Sequence, residues 1–250
     1  MALAFSQQGF GFWEIGLSRK QVFTALSIAA LFLAAVILPY KAFGQGHALS
    51  LENVLHQLDQ TAHGFHSLSA DVERLKYTAV VKDTSTETGT ILVHEDKMLL
   101  EMKNPDPRTI LRDKDDLYVY TPGLHRVEQY NLGQHRALVD QYLMLGFGMS
   151  GHDLTKSYDV TLLGEPMLDG RKTAQLELTP KSSEARQQIS KIHIWLDESS
   201  WLPVQQQFFE TGSDDYFTVK FSRMMRNPKI PDSAFKKEWP KGTEKLKPQG

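Results

Sequence analysis

Cysteine is absent from the 250 residues. Its absence excludes disulfide bonds, thiolate catalysis and cysteine-based zinc sites, and it leaves no cysteine to carry a lipid anchor after signal cleavage. An excess of positive charge is missing as well, since 28 basic and 30 acidic residues give a formal net charge of −2. Nucleic-acid binding needs a basic face, so the composition disfavours that class of function.

The N-terminal segment differs in composition from the rest of the chain. Arg19 and Lys20 precede an uncharged apolar run, Val22–Leu38, and a small-residue pattern, Ala42–Gly44, follows it. A basic, then apolar, then small-residue order is typical of a secretory signal peptide. We therefore expect export, with cleavage near Gly44.

Removal of residues 1–44 leaves residues 45–250 as a single exported domain. The signal segment holds three basic residues and one acidic residue, so the remaining domain has a formal net charge of −4. Ala48 is a second candidate cleavage site. The alternative is a retained membrane anchor, because the run Val22–Leu38 has seventeen residues and a membrane span needs about 17–25.

A helix is predicted directly after this segment. Ser50 is a good N-cap, Glu52 lies in the first turn, and the helix should end near Gly64. Its apolar residues recur at helical spacing; they are Leu51, Val54, Leu55, Leu58 and Ala62. A second amphipathic helix is predicted at Gln134–Leu145, and helices are not expected beyond Tyr158.

Short β-prone runs make up most of the remaining chain. Ser67–Val81 is predicted to be a long strand, and a change in the phase of its apolar residues indicates a bulge or a sharp twist. The polar loop Lys82–Thr88 should reverse the chain. Further strands are predicted at Gly89–His94, Met98–Lys103, Arg126–Asn131, Tyr158–Leu163, Thr173–Thr179, Ile189–Leu196, Pro203–Phe209 and Tyr216–Met225.

The stretch Pro105–Pro122 predicts a hairpin. Two apolar runs, Thr109–Leu111 and Leu117–Tyr120, flank the charged connection Arg112–Asp116. Asp-rich connectors favour turns, and proline is confined to strand margins. The hairpin contains no nucleophile or phosphate loop, and its aspartates are more easily explained as a solvated turn than as a calcium site.

Several strands are apolar on both faces, which a sheet with one solvated face would not be. The clearest runs are Ile91–Val93, Met98–Leu100, Ile194–Leu196 and Phe208–Phe209. Such strands need a cover on each side. Helices supply one cover, and an enclosed apolar lumen accounts for the other.

Motifs that would indicate catalysis are weak. Gly146–Gly151 matches G-x-G-x-x-G, but the predicted helix precedes it and strands follow, whereas a dinucleotide site needs the reverse order. A flexible loop that ends a helix is the better interpretation. Ser150 lacks a G-x-S-x-G frame, and His56, His63 and His66 lack the spacing of a zinc site.

In this order, the elements resemble the periplasmic outer-membrane lipoprotein carrier proteins, the LolA family. The hairpin at 105–122 carries most of the likeness. The residues of the resemblance are Leu51–Leu58, Phe65–Leu68, Gly89–Ile91, Pro105–Asp106, Ile110–Leu111, Asp113, Leu117–Pro122, Asn227, Ile230–Asp232, Phe235, Pro240 and Gly242.

The resemblance implies a mainly β (α+β) fold, an unclosed antiparallel β-barrel with a helical lid over an apolar cavity. It also implies a function: a soluble periplasmic carrier that takes lipoprotein acyl chains from an inner-membrane lipoprotein-releasing transporter to an outer-membrane acceptor lipoprotein. Neither catalysis nor a cofactor is expected, and the chain should be a monomer.

In terms of this family, Met98–Met102 lines the cavity, and the first helix and Gln134–Leu145 form the lid. The residues expected to bind acyl chains are Met98, Leu100, Met102, Leu117, Val119, Tyr142 and Leu145, with Leu55 and Leu58 from the lid. Tyr118 and Tyr120 then pack under the outer wall, unless the register is reversed and they face the cargo.

One position departs from the family pattern. His94-Glu95 stands where the family often has Arg-Pro, and the arginine of that pair latches the lid. The latch of this chain therefore differs or is absent, and the cargo could be another lipid.

A second hypothesis is a membrane-tethered sensory or regulatory ectodomain of the same fold, which requires that Val22–Leu38 is retained. A third is an exported hydrolase that uses Ser150 and a histidine.

Overall fold

A single large β-sheet forms most of the protein in the computed structural model, which describes residues 49–133 and 145–248. In chain order its strands are β1 (Ser67–Thr78), β2 (Asp83–His94), β3 (Lys97–Asn104), β4 (Arg108–Asp113), β5 (Asp116–Thr121), β6 (Arg126–Asn131), β7 (Tyr158–Gly164), β8 (Met167–Leu168), β9 (Arg171–Pro180), β10 (Ile189–Asp197), β11 (Pro203–Glu210), β12 (Tyr216–Arg226) and β13 (Glu244–Leu246).

Apart from one parallel pair, the sheet is antiparallel, and it does not close in the part of the chain that the structure describes. Its order is β13-β6-β5-β4-β3-β2-β1-β12-β11-β10-β9-β7, with β8 paired to β9. The β1–β12 pair joins an N-terminal meander to a C-terminal one, and β13 pairs in parallel with β6. This architecture is the unclosed, mainly β barrel that the resemblance implies.

Three α-helices accompany the sheet in the described residues, α1 (Leu51–Ala62), α2 (Gly151–Ser157) and α3 (Ser183–Gln188). Helix α1 confirms its prediction, because Ser50 Oγ accepts a hydrogen bond from the N–H of Asn53 and Val54 and Leu58 are buried. No helix in the described part of the chain is both long enough and apolar enough to span a membrane.

The expectation that helices end before Tyr158 is wrong at α3. This helix has six residues, and the Ser182 hydroxyl caps it by accepting from the N–H of Ala185. Helix α2 was not predicted either, and Ser150 caps it in the same way by accepting from Asp153. Helices this short show no apolar periodicity, so only their N-cap serines signal them.

The hairpin prediction at 105–122 is confirmed. Strands β4 and β5 pair with Leu111 opposite Tyr118, and Asp113 opposite Asp116 closes the turn. Lys114 adopts a φ of 57° within it. The strand predictions at Arg126–Asn131 and from Tyr158 onward are confirmed to within a few residues.

Two local predictions need correction. The loop predicted at Lys82–Thr88 is shorter, because Asp83 already pairs with Thr78; the threonines that alternate through this segment favour a strand. The bulge expected in β1 is in its partner. Strand β1 pairs with β2 without a break, whereas β12 has one extra residue between Ser222 and Met225.

The predicted signal segment 1–44 lies outside the described residues. The helix predicted at Gln134–Leu145 also lies outside them, apart from Leu145, which is buried in a turn.

Candidate functional site

An apolar cavity of about 600 Å³ lies on one face of the sheet, here called the inner face. Its volume is within the range of about 300–1,000 Å³ typical of small-molecule sites. Most of its lining comes from β1–β4 and β10–β12. The lining residues are Val72, Arg74, Ile91, Met98, Leu100, Met102, Arg108, Ile110, Gln188, Ile189, Gln206, Phe208, Phe217, Val219 and Phe221.

Strand register explains why these side chains meet. Ile91, Leu100 and Ile110 are direct cross-strand neighbours on β2, β3 and β4, and directly opposed residues point to the same face of a sheet. On the other side, Val72 lies opposite Phe221. Alternate residues of each strand therefore line the inner face.

Aromatic rings form the wall contributed by β11 and β12. Phe208 and Phe217 stack with their centroids 4.6 Å apart and an interplanar angle of 11°. Phe147 meets Phe221 edge to face at 4.9 Å. Because Phe147 comes from the loop before α2, this loop lies over the inner face beside the cavity.

Three charged residues stand at the edge of the cavity. Arg74 and Arg108, both of which line it, donate to the same carboxylate oxygen of Glu87, at 2.9 Å and 2.7 Å. The Arg74 guanidinium also lies 4.9 Å from the centroid of Phe217. The Glu87 side chain is 10% exposed.

Helix α1 covers the inner face next to the cavity. Val54 and Leu58 are buried in one cluster with Leu176 and Ile194 of the sheet. Leu145 joins this cluster, and its carbonyl accepts a hydrogen bond of 2.6 Å from Gln206 Nε2. Helix α1 thus occupies the position of a cover.

The structure brings only part of the predicted site together at the cavity. Met98, Leu100 and Met102 line it. Leu117 and Val119 lie opposite Arg112 and Ile110, hence on the inner face, yet they are not among the lining residues in the described part of the chain. Leu55, Leu58 and Leu145 belong to the cluster beneath α1, and Tyr142 lies outside the described residues. Their role in binding cargo stays a prediction.

The residues expected to bind acyl chains did not include the row Phe217, Val219 and Phe221, although Phe217 and Phe221 belong to the methionines and aromatics that favour either an ordinary core or an adaptable apolar cavity. The alternation of β12 places these three residues on one face and Thr218, Lys220 and Ser222 on the other, so the sequence carried a signal for them. The site prediction also omitted the arginines at the cavity edge. No local pattern marks Arg74 or Arg108, since only the sheet register unites them with Glu87.

Tyr118 and Tyr120 lie on the outer face, which settles the alternative left open for the hairpin. They pack against Trp239 of the C-terminal segment, with centroids 6.2 Å and 5.2 Å apart. Lys237 lies over the ring of Tyr118 and pairs with Asp113 at 2.8 Å. That hydrogen bond to Asp113 raises the pKa of Lys237.

The glycines of Gly146–Gly151 serve packing. A Cβ at Gly151 would lie 2.5 Å from the Leu55 carbonyl oxygen, and one at Gly148 would lie 2.5 Å from the Phe65 ring. Gly146 has a φ of 77°. Phe147 is 4% exposed, so the segment is a packed connection over the inner face, and the prediction of a flexible loop misses this packing.

Other polar candidates have local partners. Ser150 caps α2 and its hydroxyl donates to Asp153 Oδ2 at 2.6 Å. His63 Nδ1 lies 2.7 Å from the carbonyl oxygen of Asp59. His94 stacks on Phe235 at 6.4 Å, on the side of the C-terminal segment. No group of three His, Asp or Glu that could hold a metal ion occurs in residues 49–133 and 145–248.

Sequence comparisons identify a matching family model and named relatives of this chain. A family model described only as a "-like" uncharacterized protein matches residues 94–231. A protein of Cupriavidus pinatubonensis named outer-membrane lipoprotein carrier protein is 29% identical over 168 residues, which cover 67% of this chain and 73% of the relative. A protein of the same name from Dechloromonas aromatica is 22% identical over 197 residues, covering 78% and 88%.

A solved structure supports the architecture. An uncharacterized conserved protein from Thermus thermophilus aligns with a TM-score of 0.53 and 10% identity, covering 80% of this chain and 100% of that one. At this identity the likeness concerns the fold alone. The family model spans more than half of the chain, and the named carriers align over most of it. The chain belongs to the family that this model describes and is a LolA-like protein.

Proposed function

We propose that this chain is an exported carrier that shields the acyl chains of a lipoprotein in the inner-face cavity. The observation that carries the proposal is the cavity itself: about 600 Å³, lined mainly by aliphatic, methionine and phenylalanine side chains. Two relatives named outer-membrane lipoprotein carrier proteins support the choice of cargo.

The energetics of an acyl chain explain why a cavity is needed. Each methylene removed from water contributes about 0.8 kcal/mol, so a sixteen-carbon chain represents on the order of 12 kcal/mol. A carrier must supply most of this in an apolar site while the chain crosses an aqueous compartment. Continuous rows such as Ile91, Leu100 and Ile110 provide such a surface.

Release demands an adaptable lining. Met98 and Met102 are unbranched and polarizable, so they adjust to different positions of a chain. Phe208 and Phe217 provide flat surfaces beside them. Such a wall binds acyl chains without the rigid fit that would slow their release.

The proposed carrier also transfers its cargo between two membranes. The carrier receives its cargo from an inner-membrane lipoprotein-releasing transporter and passes it to an outer-membrane acceptor lipoprotein, and it does so in the periplasm as a monomer. Neither step needs a nucleophile or a cofactor. Leu117 and Val119, on the inner face beyond the cavity, would extend the path of a longer chain.

The test is displacement of a neutral apolar fluorescent probe from the purified protein. A triacylated lipopeptide should displace the probe one for one, and the same peptide without acyl chains should not. Failure of the acylated peptide to displace the probe would contradict the proposal. Mass spectrometry of protein isolated from its native envelope should find a lipoprotein bound to it.

Export of a free carrier has its own test. Protein recovered from the periplasm should begin shortly after Gly44, because residues 1–44 are removed. An N-terminus that still includes Val22–Leu38 would instead support the membrane-tethered sensory ectodomain. N-terminal sequencing distinguishes the two.

A further inference from the structure

The charged residues at the cavity edge carry more positive than negative charge. Arg74 on β1 and Arg108 on β4 share one oxygen of Glu87 on β2. Arginine is charged at every relevant pH. Two positive charges and one negative charge therefore leave a net charge of +1 at the wall of a largely apolar cavity.

Among the residues that the structure describes, no acidic side chain lines the cavity to balance this excess. In the described part of the chain, Arg74 and Arg108 are the charged residues that line the cavity, and Glu87 is not among the lining residues. Placing a charge beside apolar surface is costly unless a partner compensates it. The position of the excess charge thus favours an anionic partner inside the cavity.

Both guanidinium groups have capacity for such a partner. Each has five N–H donors in a planar fork, and the hydrogen bonds found in the described residues engage one nitrogen of each with Glu87. The side chains of Arg74 and Arg108 are 27% and 32% exposed. Both side chains therefore keep solvent-accessible surface and also line the cavity.

The arginines are also held in place. Glu87 accepts a hydrogen bond from each guanidinium, and the ring of Phe217 supports Arg74 at 4.9 Å. A guanidinium that is already positioned loses less entropy when it binds a carboxylate or a phosphate, which it contacts through two parallel hydrogen bonds. The two arginines are therefore positioned in advance for an oxyanion beside the apolar lining of the cavity.

We infer that Arg74 and Arg108 bind an anionic head group, a carboxylate or a phosphate, on an amphiphile whose acyl chain lies along Met98, Leu100 and Met102. This inference rests on the proposed function and adds a charge requirement for the cargo. Charge-assisted hydrogen bonds of this kind should give a preference of roughly tenfold to a hundredfold over a neutral analogue.

The experiment compares three chain-matched amphiphiles on the purified full chain: laurate, dodecyl phosphate and dodecanol. Each competes with a neutral apolar fluorescent probe, below its micelle-forming concentration. We expect at least one anion to bind about tenfold or more tightly than dodecanol. Comparison of laurate with dodecyl phosphate identifies the preferred anion. Added salt should weaken the binding of the two anions and leave the binding of dodecanol unchanged.

Variants connect the preference to the arginines. Arg108→Gln should bring the affinities of the anions close to the affinity that the same variant has for dodecanol, and Arg108→Lys should keep part of the preference. The matched control is Arg126→Gln, which removes an arginine that pairs with Glu128 at 3.0 Å and is not among the cavity-lining residues.

The outcomes separate the two proposals. If none of the three amphiphiles displaces the probe, the acyl-chain function and the head-group inference both fail. If all three bind wild-type protein equally, at low and high salt alike, the cavity binds chains and the head-group inference is wrong. This wild-type comparison stands even if Arg108→Gln does not fold. Equal effects of Arg108→Gln and Arg126→Gln would also overturn the inference.

Discussion

Gly151 lies directly against the backbone of Leu55, so that a Cβ at position 151 would be 2.5 Å from the Leu55 carbonyl oxygen. This contact joins α2 to α1 at the covered part of the inner face. Because the obstacle is backbone, the helices must move apart to admit even a methyl group. The glycine therefore determines how closely α2 packs against α1, the helix that covers the inner face.

Gly151→Ala should lower the free energy of unfolding by about 1–3 kcal/mol, the usual range for overpacking. Urea denaturation measures this change. The control is Gly123→Ala, because nothing lies within 4 Å of a Cβ at Gly123. Equal stabilities of the two variants would show that α1 and α2 do not pack as described.

Filling the cavity should weaken the binding of apolar ligands without unfolding the protein. Leu100→Trp places a large ring in the lining, since Leu100 faces the cavity and is only partly buried. We expect affinity for an apolar probe to fall at least tenfold, a loss of about 1.4 kcal/mol or more. Leu163→Trp, at a residue that is 46% exposed, should bind the probe normally. Unchanged binding in Leu100→Trp would place the site elsewhere.

The C-terminal segment should contribute to stability and not to binding. Trp239 packs on Tyr118 and Tyr120 of the outer face, so Trp239→Ala should lower the free energy of unfolding by about 2 kcal/mol. Probe affinity should match the wild type. Lost binding with unchanged stability would contradict the assignment of inner and outer faces.

Acid should weaken the fold partly through Asp197. Burial raises the pKa of this carboxyl, but hydrogen bonds from Ser199 and the charge of Arg171 outweigh burial, so the pKa lies below its ordinary value of 3.8. A depressed pKa means that the charged form stabilises the folded state above about pH 3.8, and that this contribution is lost as the pH falls through the lower folded-state pKa.

Asp197→Asn should therefore be less stable than wild type at neutral pH, and the difference should shrink as the pH falls below about 3.8, through the lower pKa of the folded state. Unfolding measurements across this range test the prediction. Asp159→Asn, at an exposed aspartate whose side chain is 71% accessible, controls for the loss of a charge. A difference between Asp197→Asn and wild type that is independent of pH would contradict it.

The sequence was most informative where local rules act alone. Ser50 as an N-cap predicts the start of α1, and the Asp-rich connection between Thr109–Leu111 and Leu117–Tyr120 predicts the β4–β5 hairpin. Alternation along Tyr216–Arg226 predicts which side chains share a face. Each of these signals lies within about a dozen neighbouring residues, so no tertiary information is needed.

The rest depends on contacts between distant segments. Glu87 on β2 and Arg108 on β4 contact each other across β3, the strand that the sheet order places between them. No spacing in the sequence indicates this contact. The glycines at 146 and 148 reproduced a dinucleotide motif, yet they are small because Ile194 and Phe65 pack against them. Tertiary packing thus decided the meaning of residues that a local motif misassigned.

Photo-crosslinking tests directly whether acyl chains lie in the inner-face cavity. A lipopeptide with a diazirine near the end of one acyl chain is bound, irradiated, and mapped by mass spectrometry. Crosslinks to Met98, Leu100, Phe217 or Val219 are expected, and an unlabelled lipopeptide should suppress them. Suppressible crosslinks at Tyr118 or Trp239 on the outer face would contradict it.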